Sequence, residues 1–451
     1  MVGINAMTTM VAVHLLFFYT DVVRLAPWVV GLVMALAQVW DAVTDPIIGH
    51  LSDRTRWAWG RRRPYILMGA IPAAALFVAV FCPPGGLSAR ATGLFFGAAF
   101  LLFFTFRTVW DTPYGALAPE LSLDYDERTR ISAYQQVFGT VGDVIGTIAP
   151  VVLIGAVLAP VSAGSTQSAT EVRPGALSDY AAVGLAVAIL AAGSAVWTYL
   201  GTRENRRLTK RATRPLFDSL RTTFRNRPYV LLVVVSTLAA VANYMTIAVV
   251  LYVVGHWFPG ERAAPWFFGA FFAGAFLAIP AWTRLAVRLG KKAALLAAMA
   301  VYSVLLWSVL MLPPGAHAAF GVLMFVAGAF NIALWLIPAS IVPDVIEWDQ
   351  LATGERREGA YYGIWTLVKK AGVGGAYVII AVLLQLCGYE AGAALTRRQD
   401  LVLRLLFGVI PSVLLVIGLV VFLRFPITRA MHEEMVRKIR ETQGKSPDRD
   451  R

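Results

Sequence analysis

Residues 39–63 read VWDAVTDPIIGHLSDRTRWAWGRRR. A long apolar segment ends here in two carboxylates, Asp41 and Asp45, and five arginines follow them. An aspartate at membrane depth costs roughly 2.5 to 3.5 kcal/mol on insertion scales, so two of them in one segment need a reason. Spacings of three and four place Asp41, Thr44 and Asp45 on one helical face, where two carboxylates and a hydroxyl can converge on one ion. The plainer reading is a carboxylate paired with a basic side chain that holds a gate shut. Like charges this close, with no arginine embedded in their own helix, favour a bound cation or a shared proton. Pro46 removes a backbone donor and loosens the helix beside them.

The rest of the chain explains the setting of that stretch. Of 451 residues, 58% are hydrophobic and only 15% charged, and the mean hydropathy is +0.65. Such values belong to a polytopic membrane protein, not to a soluble domain. The net charge of +13 sits in short clusters between apolar runs, as topology determinants do, which argues against nucleic acid as a partner. Cys82 and Cys387 lie far apart with no metal-ligand spacing.

Windows of about 20 apolar residues, the length of a membrane-crossing helix, recur twelve times. They fall near 1–20, 27–50, 64–83, 92–118, 131–159, 179–200, 229–256, 265–287, 293–312, 316–341, 358–386 and 400–424. Basic residues crowd the connections at 54–63, 284–292 and 203–227, so these face the cytoplasm and both termini lie on that side of a cell's inner (plasma) membrane. The first segment opens at Met1 without a charged n-region, which excludes a signal peptide and suggests that the first turns of this helix are missing. Asn5 then belongs deep in the bundle. The expected organisation is a six-helix bundle over 1–200, a basic cytoplasmic linker over 201–228, a second six-helix bundle over 229–425 and a cytoplasmic tail over 426–451.

The halves repeat weakly. LAPELSLDYDERTRISAYQQVFG (117–139) and IVPDVIEWDQLATGERREGAYYG (341–363) both run from a Pro-acid pair through an acidic cluster and Glu-Arg to Tyr and Gly at the next helix. Two parallel six-helix repeats with a site at their interface predict an all-α membrane protein of the major facilitator kind, working by alternating access.

Four motifs sharpen this: FFYTDVV (17–23), WDAVTDPIIGHLSDRTRWAWGRRRPY (40–65), WDTPYGALAPEL followed by DYDERTR (110–130), and VPDVIEWDQLATGERREGAYYGIWTLVKKAG (342–372). Together they resemble the glycoside-pentoside-hexuronide:cation symporters, the melibiose-carrier-like family of the major facilitator superfamily, over essentially the whole chain. The resemblance implies a coupling-ion site at Asp41, Thr44, Asp45 and Thr108, and a sugar-binding carboxylate at Asp111. It also places Lys370 at the family's intramembrane lysine, within reach of Asp45 or Asp111. Departures are visible too. Asn5 stands where the family has another sugar-binding aspartate, and Gln136 stands where it has an arginine. Both amides still bond hydroxyls.

Arg107 is the larger departure. Four residues before Asp111, it can neutralise that carboxylate or approach Asp41 and Asp45. Adjacent lysines point about 100 degrees apart on a helix, so only one of Lys369 and Lys370 faces the cavity, and Lys370 is the expected one. Trp335 is a candidate platform for an apolar sugar face. Asp143, set among glycines in GTVGDVIG (139–146), is an intramembrane functional candidate, with a structural hydrogen bond, a partner role for Arg107 and proton carriage all open. In the basic and acidic motifs, Arg54, Arg128 and Arg130 against Asp53, Glu127, Asp344, Glu355 and Glu358 are expected to form a cytoplasmic gate that closes between the halves; topology alone is the plainer reading.

A secondary transporter accounts for the twelve segments, the repeat and the acids at once. An enzyme is not expected: Asp41 and Asp45 share one helix, whereas shared-proton catalysis needs carboxylates facing across a cleft. No P-loop, GxSxG or HExxH segment is present. The expectation is cation-coupled symport (Na+ or H+) of a glycoside or related hydroxylated solute by a monomer in a lipid bilayer, with no cofactor and no metal beyond a possible Na+. The alternatives are an amphiphile such as a lysolipid as cargo, or a non-transporting scaffold or receptor on the same fold.

Overall fold

The computed structural model describes residues 1–55, 57, 59–121, 125–153, 176–202, 223–258, 263–353, 358–390, 393, 395–427, 431, 434, 435 and 437. Twelve helices within them are long and apolar enough to cross a membrane. In chain order the first half holds α1 (Val2–Val22), α2 (Pro27–Arg54), α3 (Arg63–Phe81), α4 (Ala89–Leu121), α5 (Tyr125–Leu153) and α6 (Ala176–Gly201). The second half holds α7 (Arg227–Trp257), α8 (Ala263–Leu289), α9 (Lys291–Met311), α10 (His317–Thr353), α11 (Glu358–Leu386) and α12 (Arg397–Leu423). The related motifs of the two halves fall at the α4–α5 and α10–α11 connections. Most of the expected linker and tail, 201–228 and 426–451, lies outside the described residues.

Local chemistry sets several helix ends. Pro27 and Pro228 occupy first-turn positions, where a missing N–H costs nothing. Asn226 caps α7 by accepting from Tyr229 N, and Thr396 and Gln399 close a capping box at the start of α12. α2 runs through Pro46 without ending. The last turn of α1, Phe18–Val22, is a π-turn.

Within each half, α1 packs on α5 and α6, α3 on α4, and α8 on α10. Lipid offers no hydrophobic drive between helices, so close backbone approach through small residues substitutes for it. At the α8–α10 contact a Cβ on Gly274 would lie 1.9 Å from Phe325 O, and one on Gly328 would lie 1.9 Å from Phe271 O. Only glycine fits at either place.

Among the described residues the halves meet chiefly through α2 with α11, α1 with α7 and α5 with α8. Polar bonds tie α1 to α7 and to the connection after α11 at the end of the bundle away from the 54–63 connection. Tyr389 OH donates to Asp21 Oδ1 at 2.7 Å, and Thr20 Oγ1 lies 2.5 Å from Tyr252 OH. Thr20 also donates to Asp21 Oδ2 at 2.6 Å. Burial and the nearby Asp21 push the Tyr389 hydroxyl far up, so it remains a donor.

Candidate functional site

α2, α4 and α11 bring five charged side chains together: Asp41, Asp45, Arg107, Asp111 and Lys370. Asp41 is fully buried on α2, beside Thr108 on α4, which is equally buried. Thr108 Oγ1 donates to Asp41 Oδ1 at 2.6 Å, and Thr44 Oγ1 reaches Thr108 Oγ1 at 3.4 Å. Arg107 Nη2 meets Asp41 Oδ2 at 2.5 Å, while its Nη1 meets Asp111 Oδ2 at 3.3 Å. Both roles open to Arg107 in the sequence are therefore filled at once.

Lys370 completes the group from the second half. Its ammonium lies 2.6 Å from Asp41 Oδ2 and also pairs with Asp45 Oδ2. Thr112 Oγ1, one turn beyond Thr108, donates to Asp45 Oδ1 at 3.3 Å. Asp41, Asp45 and Asp111 against Arg107 and Lys370 leave one negative charge in excess. Exposure separates the acids: the Asp41 side chain is 1% exposed, Asp45 25% and Asp111 36%. Asp41 is thus sealed by its partners, and Asp45 and Asp111 are the carboxylates that an incoming group can reach. Breaking one partner from such a buried pair costs about 3 to 5 kcal/mol, so the cluster holds together unless another cation replaces a lost one.

A second polar group lies between α1 and α5. Asn5 Nδ2 donates to Asp143 Oδ1 at 3.2 Å and Thr9 Oγ1 donates to the same oxygen at 2.7 Å. Of the readings open for Asp143, this geometry is the hydrogen bond to a neighbouring helix. Gln136 is exposed on α5, its amide 3.5 Å from Thr140 Oγ1 on the same helix. Trp335 stacks on no other ring among the described contacts; the Lys369 ammonium lies 5.1 Å from its centroid.

The residues expected to gate the cytoplasmic side divide. Asp53 pairs with Arg62 at 2.8 Å and with Arg61 at 3.8 Å, and Asp344 pairs with Lys291 at 2.7 Å, each within its own half. Arg54 and Arg130 are exposed. Glu355 and the side chains of Glu127, Arg128 and Glu358 lie outside the described residues.

Several contributors escaped the sequence reading. Thr112 and Thr9 are hydroxyls one turn from recognised positions, a signal shared by many threonines that only bond their own helix. Asp21, inside the quoted FFYTDVV motif, carried the visible signal of an acid at the end of an apolar segment.

Comparison with known proteins agrees with this architecture. A family model described as "MFS/sugar transport protein" matches residues 1–429. An uncharacterized symporter of Synechocystis sp. is 28% identical, with 95% of this chain and 93% of that protein covered. The sodium-dependent lysophosphatidylcholine symporter 1-A of Danio rerio is 25% identical over 94% of this chain and 84% of its own. The sphingosine-1-phosphate transporter MFSD2B of Xenopus tropicalis is also 25% identical, over 94% and 85%. Among solved structures, the xylose transporter XylE of E. coli superposes with a TM-score of 0.67 at 10% identity, covering 97% of each chain. The fold is that of the major facilitators: twelve transmembrane helices in two pseudo-symmetric six-helix bundles.

Proposed function

We propose that this chain, which belongs to the MFS/sugar transport protein family, is a secondary transporter of the glycoside-pentoside-hexuronide:cation type that couples one monovalent cation to its cargo. The observation that carries the reading is the α2–α4–α11 cluster, one positive charge short of neutrality and bridged across the halves by Lys370. One Na+ or H+ makes up that deficit. Asp41, Asp45, Thr44 and Thr108 supply the oxygens a hard cation takes, and Thr112 adds a further hydroxyl to Asp45.

Coupling follows from competition. In this conformation the Lys370 ammonium occupies the place of the counter-charge to both carboxylates. A cation that binds Asp45 takes up the excess charge and weakens the pairing with Lys370, which belongs to the other half, and so changes the free energy of moving one half against the other. By reciprocity the cargo then changes the cation's affinity by the same factor. Working by alternating access in the inner membrane with both termini cytoplasmic, the protein needs no cofactor and acts as a monomer.

Asp111, the most exposed acid of the cluster, is the acceptor offered to cargo hydroxyls, which supports a glycoside or related hydroxylated solute. A second reading, an amphiphile such as a lysolipid, is favoured by the names of two relatives and by Arg107, which ties down Asp111. Uptake into proteoliposomes across a glycoside and lysolipid panel, with Na+ and H+ gradients imposed separately, tests both. One gradient is expected to drive uphill accumulation. Specific binding with no gradient-driven uptake would point instead to a scaffold or receptor.

A further inference from the structure

The two adjacent lysines of α11 serve different places. Lys370 turns to the carboxylates, whereas Lys369, about 100 degrees around the helix, enters a cleft inside the second half. Ser236 and Ala240 of α7, Trp335 and Pro338 of α10, and Trp365 and Lys369 of α11 line that cleft. The Lys369 ammonium lies 4.5 Å from the Trp365 ring centroid and 5.1 Å from that of Trp335. No carboxylate lines the cleft, and among the described residues none pairs with Lys369.

Two further donors have no partner there. Ser236 is 5% exposed, and its Oγ, like Trp365 Nε1, is buried without a hydrogen bond among the described residues. Aromatic faces attract an ammonium through their quadrupole, but they supply no counter-charge and no lone pair for the indole N–H. An ammonium, and two residues that carry an unpartnered N–H and an unpartnered hydroxyl, therefore line one space with no carboxylate among its lining residues. Trp335 is 37% exposed, so the cleft is not sealed.

We infer that this cleft is an oxyanion subsite that takes the phosphate group of the cargo. The inference rests on the transport reading and extends it to the class of molecule carried: a phosphate ester, with the phosphate on a lysolipid or on a soluble hydroxylated solute. A phosphate spreads its charged oxygens tetrahedrally and can accept from donors arriving from α7 and α11 together. An uncharged glycoside would leave Lys369 without a counter-charge. The acids of the neighbouring cluster pair with Arg107 and Lys370, and none of them lines the cleft of Lys369.

The test is calorimetric titration of the purified full chain in a polyoxyethylene detergent and phosphate-free buffer. Lysophosphatidic acid and glucose 6-phosphate serve as the lipid and soluble probes, each compared with its uncharged counterpart, monoacylglycerol or glucose. At least one phosphate ester is expected to bind about tenfold tighter than its counterpart or better. Lys369→Met removes that preference, Lys369→Arg retains it, and Trp365→Phe, which keeps an aromatic face and deletes the N–H, weakens it several-fold. The absence of a phosphate preference in the unmodified protein, or its survival in Lys369→Met, overturns the subsite. A phosphate preference without gradient-driven uptake would sink the transport reading and leave the subsite standing. Gradient-driven uptake without the preference would sink the subsite alone.

Discussion

Asp41 shows how much a single position in this protein depends on its neighbours. Fully buried, it accepts from Thr108, Arg107 and Lys370, three donors from two other helices. The helical spacing of Asp41, Thr44 and Asp45 made their convergence readable from α2 alone. Its cationic partners were harder to assign, because Arg107 had two possible acids and only tertiary packing decided that it takes both. The divergence of Lys369 and Lys370 was readable; the aromatic cleft that receives Lys369 was not, since Trp335 and Trp365 are separated by the whole α10–α11 connection. Removing Lys370 leaves Asp41 and Asp45 with Arg107 as their remaining cationic partner. Lys370→Met is therefore expected to lose thermal stability in Na+-free buffer at neutral pH, by about 3 kcal/mol or more, and to regain much of it as Na+ or H+ is added. Melting curves across Na+ concentration and pH check this. A variant equally unstable at every cation concentration would show that no cation replaces the ammonium.

At the scale of elements, the apolar windows located all twelve helices, and most observed ends lie within a few residues of those expected; the exception is α10, expected to end at 341, which continues through the acidic VPDVIEWDQ stretch to Thr353. Length and hydropathy suffice for that, because lipid leaves the backbone no alternative to the helix. The contacts between elements were less accessible. The bonds of α1 and α7 with the connection after α11 join Asp21, Tyr252 and Tyr389, and no periodic pattern links residues 368 apart in sequence. Cys387 lies two residues before Tyr389, buried, with burial pushing its thiol up, while Cys82 is exposed. These two free thiols report on that tie without an engineered label. Maleimide is expected to modify Cys82 readily and Cys387 slowly; Tyr389→Phe, which deletes the donor to Asp21, should raise the Cys387 rate about fivefold or more by favouring separation of the halves at this end. An unchanged Cys387 rate, with Cys82 as the internal reference, would mean that the bond does not hold the halves together.

For the molecule as a whole, two six-helix bundles meet at a charged cluster to which both contribute: α2 and α4 supply the acids and Arg107, and α11 supplies Lys370. The half repeat in the sequence anticipated the bundles, and the acids anticipated where they meet. The excess of one negative charge emerged only when the pairs were assembled, because it depends on Arg107 and Lys370 sharing the same three acids. The central claim is that one monovalent cation fills this deficit. Its most direct test counts cations bound by the purified protein without any cargo, by equilibrium dialysis with radioactive Na+ and by proton uptake in unbuffered solution. The account predicts one Na+ or one H+ per chain, lost in Asp45→Asn and bound about tenfold tighter in Lys370→Met, where the competing ammonium is gone. No bound cation of either kind, or full binding in Asp45→Asn, would contradict it.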